Sequence, residues 1–166
     1  MEENDKRELI KLLNEVDPEH PYGTELFNAL ARVTVSVAIE AVCLRHNPET
    51  KQLEVFMMKR PMDDIAYPGQ WHCPGSVLRP GEEIEDAFKR LNQQEFSGIL
   101  LDKKFAATVN VPDEARGHFL SLVYLCELEE NENLKGTWFM ASDLPDQTVK
   151  SHRKLIIPSA ICFFFD

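Results

Sequence analysis

Positive charge is scarce in this chain: 18 lysines and arginines stand against 28 aspartates and glutamates, a formal net charge of −10 at pH 7. Such a surface repels phosphate backbones and anionic headgroups, which argues against nonspecific binding to nucleic acid or to a membrane. A phosphorylated ligand would need a metal ion or a local cationic cluster. Long apolar runs are also missing; none approaches the roughly 18–20 residues of a bilayer span. The opening "MEENDKRELI" is acidic and polar, unlike a secretory signal, so a cytoplasmic location is expected.

Paired cysteines are absent as well. Cys43, Cys73, Cys126 and Cys162 are scattered without a CxxC spacing, and three of them sit in apolar runs, where a free thiol behaves as a small hydrophobe. Reduced thiols and no zinc site follow, with Cys73 beside His72 read as a packed turn residue. No GxSxG, phosphate-binding Walker loop or dinucleotide fingerprint occurs, so serine hydrolysis, P-loop nucleotide hydrolysis and hydride transfer have no support. Repeats and low-complexity tracts are missing too.

The 166 residues that are present suit one domain, with 43% apolar and 28% charged residues. Apolar residues at helical spacing from Glu8 to Val16 predict a helix, which "DPEHPYG" breaks. A second helix is expected after Thr24 as N-cap. Residues 1–32 therefore read as a helical extension and 33–166 as the main domain. From Val33 the chain turns β-branched and alternating, and "LEVFMMKR" follows as a hairpin partner. A long loop rich in proline and glycine leads to a helix near Glu83, and loops of that length are usually functional. "KKFAATVNV", "HFLSLVYLCELE" and "GTWFM" are strand-like, and "PSAICFFF" reads as a closing helix with Pro158 at its first position. Strands and helices mix without regular βαβ alternation, which makes the fold class α+β.

The helix near Glu83 holds one anomaly. On a helical wheel Glu95 falls within the apolar stripe of Ile84, Phe88 and Leu91, where an unpaired carboxylate costs several kcal/mol or takes up a proton. A cation should meet it. In "CPGSVLRPGEEIEDAFKRLNQQEFSGI", Glu82 and Arg90 are separated by seven residues. This stretch resembles the box of the Nudix hydrolases: Gly, five residues, Glu, seven residues, then Arg-Glu-aliphatic-any-Glu-Glu-any-Gly-aliphatic. "FMMKRP", "YPGQWHCPG" and "WFMASDLP" are similar to flanking elements of the family, so the resemblance runs from about Val33 to Asp166. The departures are Ser76 for the first Gly, Leu91 for the Glu after Arg90, Asn92 for the aliphatic residue, Gln94 for the first paired Glu, and Gly98-Ile99 one residue late.

The resemblance implies an α/β/α sandwich with a mixed sheet, and a metal-dependent pyrophosphohydrolase of nucleoside diphosphate-linked substrates. It implies that Glu82 and Arg90 fix the loop against the helix, and that Glu95, assisted by the neutral carbonyl of Gln94, holds Mg2+ or Mn2+. Leu91 cannot ligate. Two lost acids should weaken the metal by orders of magnitude, since one charge contact is worth about 4 kcal/mol near the surface. Two readings of Glu95 stay open, metal ligand or ion-pair partner of Arg90 or another base. The alternative function is a weak or inactive module binding a nucleotide-like ligand or a protein. Arg60, Arg116 and Glu114 are candidates for the substrate side, with Trp71 and Tyr67 for base stacking; His118 is a further candidate, and His152 reads as surface. The partner is a small nucleotide-like molecule; the oligomeric state is open, a homodimer included.

Overall fold

In the computed structural model residues 1–17, 23–96, 100–129 and 134–165 are described. Gly98-Ile99, most of the "EENEN" charge run and the middle of "DPEHPYG" lie outside them. Strand β1 (Val35–His46) is the axis of the fold. Its small and β-branched residues suit burial on both faces, and seven consecutive residues from Ala38 to Leu44 are buried.

Strand β2 (Leu53–Lys59) pairs antiparallel with the far end of β1, and β3 (Trp71–His72) pairs with β2. Strand β4 (Gly75–Val77) pairs antiparallel with the other half of β1, Ile39 opposite Ser76. Strands β5 (Leu100–Glu114) and β6 (Gly117–Leu128) form a hairpin, and β6 runs parallel to β1. Strand β7 (Gly136–Met140) closes against β2. The sheet is therefore mixed, in the order β3-β2-β1-β6-β5.

Strand alternation sorts the core into two layers. Ile39, Ala41 and Cys43 face α3 (Ile84–Leu91) and pack with its Ala87, Phe88 and Leu91. Val42 and Leu44 face α4 (Ile157–Phe165) and pack with Ile157 and Ala160. The result is the α/β/α sandwich that the resemblance implied. The first helices, α1 (Glu3–Asn14) and α2 (Thr24–Ala31), precede this core. No residue of α1 is buried, whereas α2 buries Ala31, and Thr34 Oγ1 donates to Leu30 O at 2.9 Å in the turn that leads into β1.

Three local expectations change. Thr24 is the first helical residue of α2 rather than its cap, because Gly23 occupies the cap with φ 81°, a conformation glycine adopts without a Cβ clash. The closing helix begins at Lys150, so Pro158 lies inside a continuous helical run. A π turn, His152–Ile156, sits immediately before it; a widened turn eases the clash that a proline ring makes with the carbonyl four residues back. A second π turn, Asn92–Phe96, continues α3. It takes up one extra residue, as π turns do, where Gly98 falls one residue late in the sequence. No helix among the described residues is long and apolar enough to cross a membrane.

Candidate functional site

The turn before α3 is fixed by one guanidinium. Arg90 donates from Nε to Glu82 Oε1 and from Nη2 to Glu82 Oε2, both at 2.8 Å. Its Nη1 reaches Ser76 Oγ at 2.5 Å, and Nη2 also reaches Val77 O at 3.0 Å. Glu82 accepts the Arg79 N–H at 3.0 Å as well. The Arg90 bonds hold the Glu82 carboxyl below its ordinary range, against the opposing effect of burial. A two-pronged pair of this kind combines charge with fixed geometry.

This turn borders a cavity of about 480 Å3, a volume within the ordinary range for small-molecule sites. Its wall includes Arg90 and Glu95 from the α3 side, Arg60 and Tyr67 from the loop after β2, and Glu114 and Arg116 from the β5–β6 hairpin. Helix α2 adds Thr24 and Phe27 to the wall. Glu95 points inward. Burial raises its carboxyl above the usual range, opposed by the Arg60 charge, the Gly75 N–H and the Arg90 charge. Its Oε2 is buried without a hydrogen-bond partner among the described residues.

Asp64 organises the arginines. It accepts Arg60 Nη1 at 3.2 Å and Arg116 Nη2 at 3.1 and 3.0 Å. Its Oδ1 also accepts the N–H groups of Ala66 and Tyr67, both at 2.9 Å, which fold the loop around it. Burial pushes the Asp64 carboxyl up, but the Ala66 amide and both arginines outweigh it and hold it low. Tyr67 Oη accepts the Ala115 N–H at 2.9 Å, a second tie between loop and hairpin. One carboxylate thus holds two guanidiniums side by side at the cavity wall.

Buried polar side chains from β1, β6 and the closing helix also line the cavity. Glu40 on β1 is 9% exposed and accepts the Ser121 hydroxyl of β6 at 3.3 Å. Burial raises its carboxyl to about 8, only partly opposed by the Ser121 bond and the Arg60 charge, while Glu114 and Glu95 add to the rise. His152 accepts the Cys73 N–H at its Nδ1, 3.1 Å away, and burial keeps its ring well below the ordinary imidazole range. Gly75 is required here, since a Cβ at that position would collide with the Glu40 carboxylate and the Ile39 carbonyl.

The family model described as the NUDIX domain matches residues 37–157, most of the chain. The chain belongs to the Nudix hydrolase family. Among curated proteins none matches by sequence. Solved structures share the Nudix fold at low identity. The MutT NUDIX hydrolase of Burkholderia pseudomallei is 21% identical with a TM-score of 0.62, over 76% of this chain and 98% of that one. The NUDIX domain of Shewanella oneidensis NrtR, crystallised with ADP ribose, is 18% identical with a TM-score of 0.58, over 97% of both chains. A MutT/nudix family protein of Listeria innocua is 14% identical with a TM-score of 0.60, over 81% and 95%.

Within this Nudix domain the residues named from the sequence separate into two groups. Arg60, Arg90, Glu95, Glu114 and Arg116 line the cavity, and Glu82 stands behind Arg90. Gln94 does not line it: in the π turn its side chain is exposed, which removes it from the place expected for a metal-assisting carbonyl. Trp71 does not line it either; its ring stacks edge-on with Phe139 at 4.8 Å, so its work is packing. His118 is bonded to Asn110 at 2.6 Å outside the cavity. His152, read as surface, is buried at the cavity floor. Glu40, Asp64 and Ser121 were missed altogether.

The donor set does not fit the magnesium or manganese cage that the family box implies. Leu91 is 1% exposed and packed in the core, Gln94 turns to solvent, and Glu95 alone remains of the three helix positions. Among the described residues no group of three or more His, Cys, Asp or Glu side chains is placed to hold a metal ion. Hard divalent cations take six or more oxygens and draw their affinity from several carboxylates, so a single acid whose charged form burial disfavours is a poor substitute.

Proposed function

We propose that this Nudix domain binds a nucleoside diphosphate linked to a second group, as the Shewanella relative does ADP ribose, and holds it without metal-dependent turnover. The observation that carries the reading is the Asp64-ordered pair Arg60 and Arg116 on a cavity whose adjoining helix has lost its carboxylate cluster. Arginine forks suit the oxygens of a diphosphate, and the Arg60–Arg116 pair is a local cationic cluster in a chain of net charge −10. Residues 1–32 act as an extension that walls the pocket of the 33–166 domain through α2. The free thiols fit a reducing compartment such as the cytoplasm.

A second reading, metal-dependent pyrophosphate hydrolysis with Glu95 as the ligand, is favoured by the unpartnered Glu95 Oε2 and the intact Glu82–Arg90 pair. Calorimetric titration and product analysis separate the two, using ADP-ribose, a dinucleotide polyphosphate and a nucleoside triphosphate with and without millimolar magnesium or manganese. Binding that needs no metal and leaves the ligand intact is the expected result. Metal-dependent cleavage of any of them decides for the hydrolase, and binding of none overturns the ligand reading.

A further inference from the structure

Polar side chains buried at the level of core residues are few among the described residues: Glu40, Glu54, His72, Ser121, Thr148, Ser151 and His152. Four of these, Glu40, Ser121, Ser151 and His152, line the cavity already described. A cluster of that composition on a wall that also carries Ala38, Val111, Phe119 and Ile156 calls for polar matter to meet it.

The bonding within the cluster leaves one donor and one acceptor over. Ser121 Oγ donates to Glu40 Oε1, and no hydrogen bond reaches Glu40 Oε2 from the described residues. The Cys73 N–H occupies His152 Nδ1 as an acceptor, so in the neutral ring the proton sits on Nε2. That Nε2 lies 4.0 Å from Glu40 Oε2, too far for the two to satisfy each other. The strands fix the arrangement, since β1 and β6 run in parallel register with Ala38 opposite Ser121.

We propose that Glu40 and His152, with Ser121 behind them, form a subsite that reads a hydroxyl, the sugar diol of the bound ligand. The inference rests on the ligand class proposed above and assigns the part of that ligand which the arginines do not take. A phosphate is disfavoured beside Glu40, with Glu95 and Glu114 bordering the same cavity. An apolar group would leave Oε2 and Nε2–H dry and unpaired. A hydroxyl both donates and accepts, so one oxygen between them satisfies the pair whether or not Glu40 carries a proton. Sites built to bond a hydroxyl reject the analogue lacking it far more strongly than apolar pockets reject a size change.

The test is a set of affinities, measured by calorimetry on the full chain with ADP-ribose, two analogues each lacking the diol of one ribose, and inorganic pyrophosphate. The wild type should lose tenfold or more in affinity for at least one of the deoxy analogues. Glu40→Met should lose a similar factor for ADP-ribose, bind that analogue no worse than the wild type does, and keep its pyrophosphate affinity, while Glu40→Gln should retain most of the ADP-ribose affinity. Equal wild-type affinities for ADP-ribose and both analogues would overturn the subsite even if Glu40→Met fails to fold, and pyrophosphate binding alongside would leave the diphosphate reading standing. Absence of binding by ADP-ribose and pyrophosphate alike would overturn both.

Discussion

Replacing Glu40 by glutamine should make the protein more stable at pH 8 and change it little at pH 4.5. Folding raises this carboxyl from 4.5 to about 8, because the buried site favours the neutral acid. Above pH 4.5 the unfolded chain has released this proton while the folded chain still holds it, so stability falls as pH rises and levels off near pH 8. At about 1.4 kcal/mol per unit, the full penalty is roughly 4–5 kcal/mol, and the part developed between pH 5 and pH 7 is about 2.5 kcal/mol. Glutamine keeps the acceptor that Ser121 needs and has no proton to lose. Urea unfolding of both proteins at pH 5, 6, 7 and 8 reads the difference directly, about 1 M in midpoint between pH 5 and 7 for a slope near 2 kcal/mol/M. Taking the difference removes contributions from groups that do not touch residue 40. A stability difference that stays flat across this range would refute the buried-acid reasoning.

Arg90→Ala removes the four guanidinium bonds that tie the turn to α3 and leaves Glu82 nearly buried without its ion-pair partner; it should cost about 3 kcal/mol and lower Tm by roughly 6–12 °C in thermal unfolding. Asp64→Ala frees both arginines and opens the loop, so calorimetry should show pyrophosphate and ADP-ribose affinity falling together; an unchanged affinity removes Asp64 from the site. Leu91→Glu places a carboxylate in the core and should cost about 3 kcal/mol in urea unfolding, whereas exposed Gln94→Glu should stay within about 0.5 kcal/mol. Neither should gain magnesium affinity by titration, and a clear gain in either would restore the helix face as a metal site.

The parts of the site written within one short stretch were readable in advance. Glu82 and Arg90 are close in sequence, and helical periodicity alone turned Glu95 inward. Glu40 left a signal that went unused: alternation in "VAIEAVC" puts it on the same face as Ala38 and Val42, a charged residue amid oil. Asp64 left none, because its meaning depends on Arg116, 52 residues on and brought in only by the β5–β6 hairpin. His152 was hidden by its charged neighbours in "KSHRK"; a contact with the Cys73 backbone is tertiary and has no local trace. Gln94 and Glu95 share a π turn that a wheel of 100° per residue does not describe; the wheel's inward placement held for Glu95 and not for exposed Gln94.

The bond from the Cys73 amide to His152 has an evolutionary corollary. A main-chain donor survives every side-chain replacement at position 73 except proline, so the imidazole keeps its protonated edge turned the same way through sequence drift. Changes of appetite in descendants of this protein would then come more readily through the cavity's exchangeable side chains, positions 40 and 121 among them, where a single codon alters the chemistry on offer.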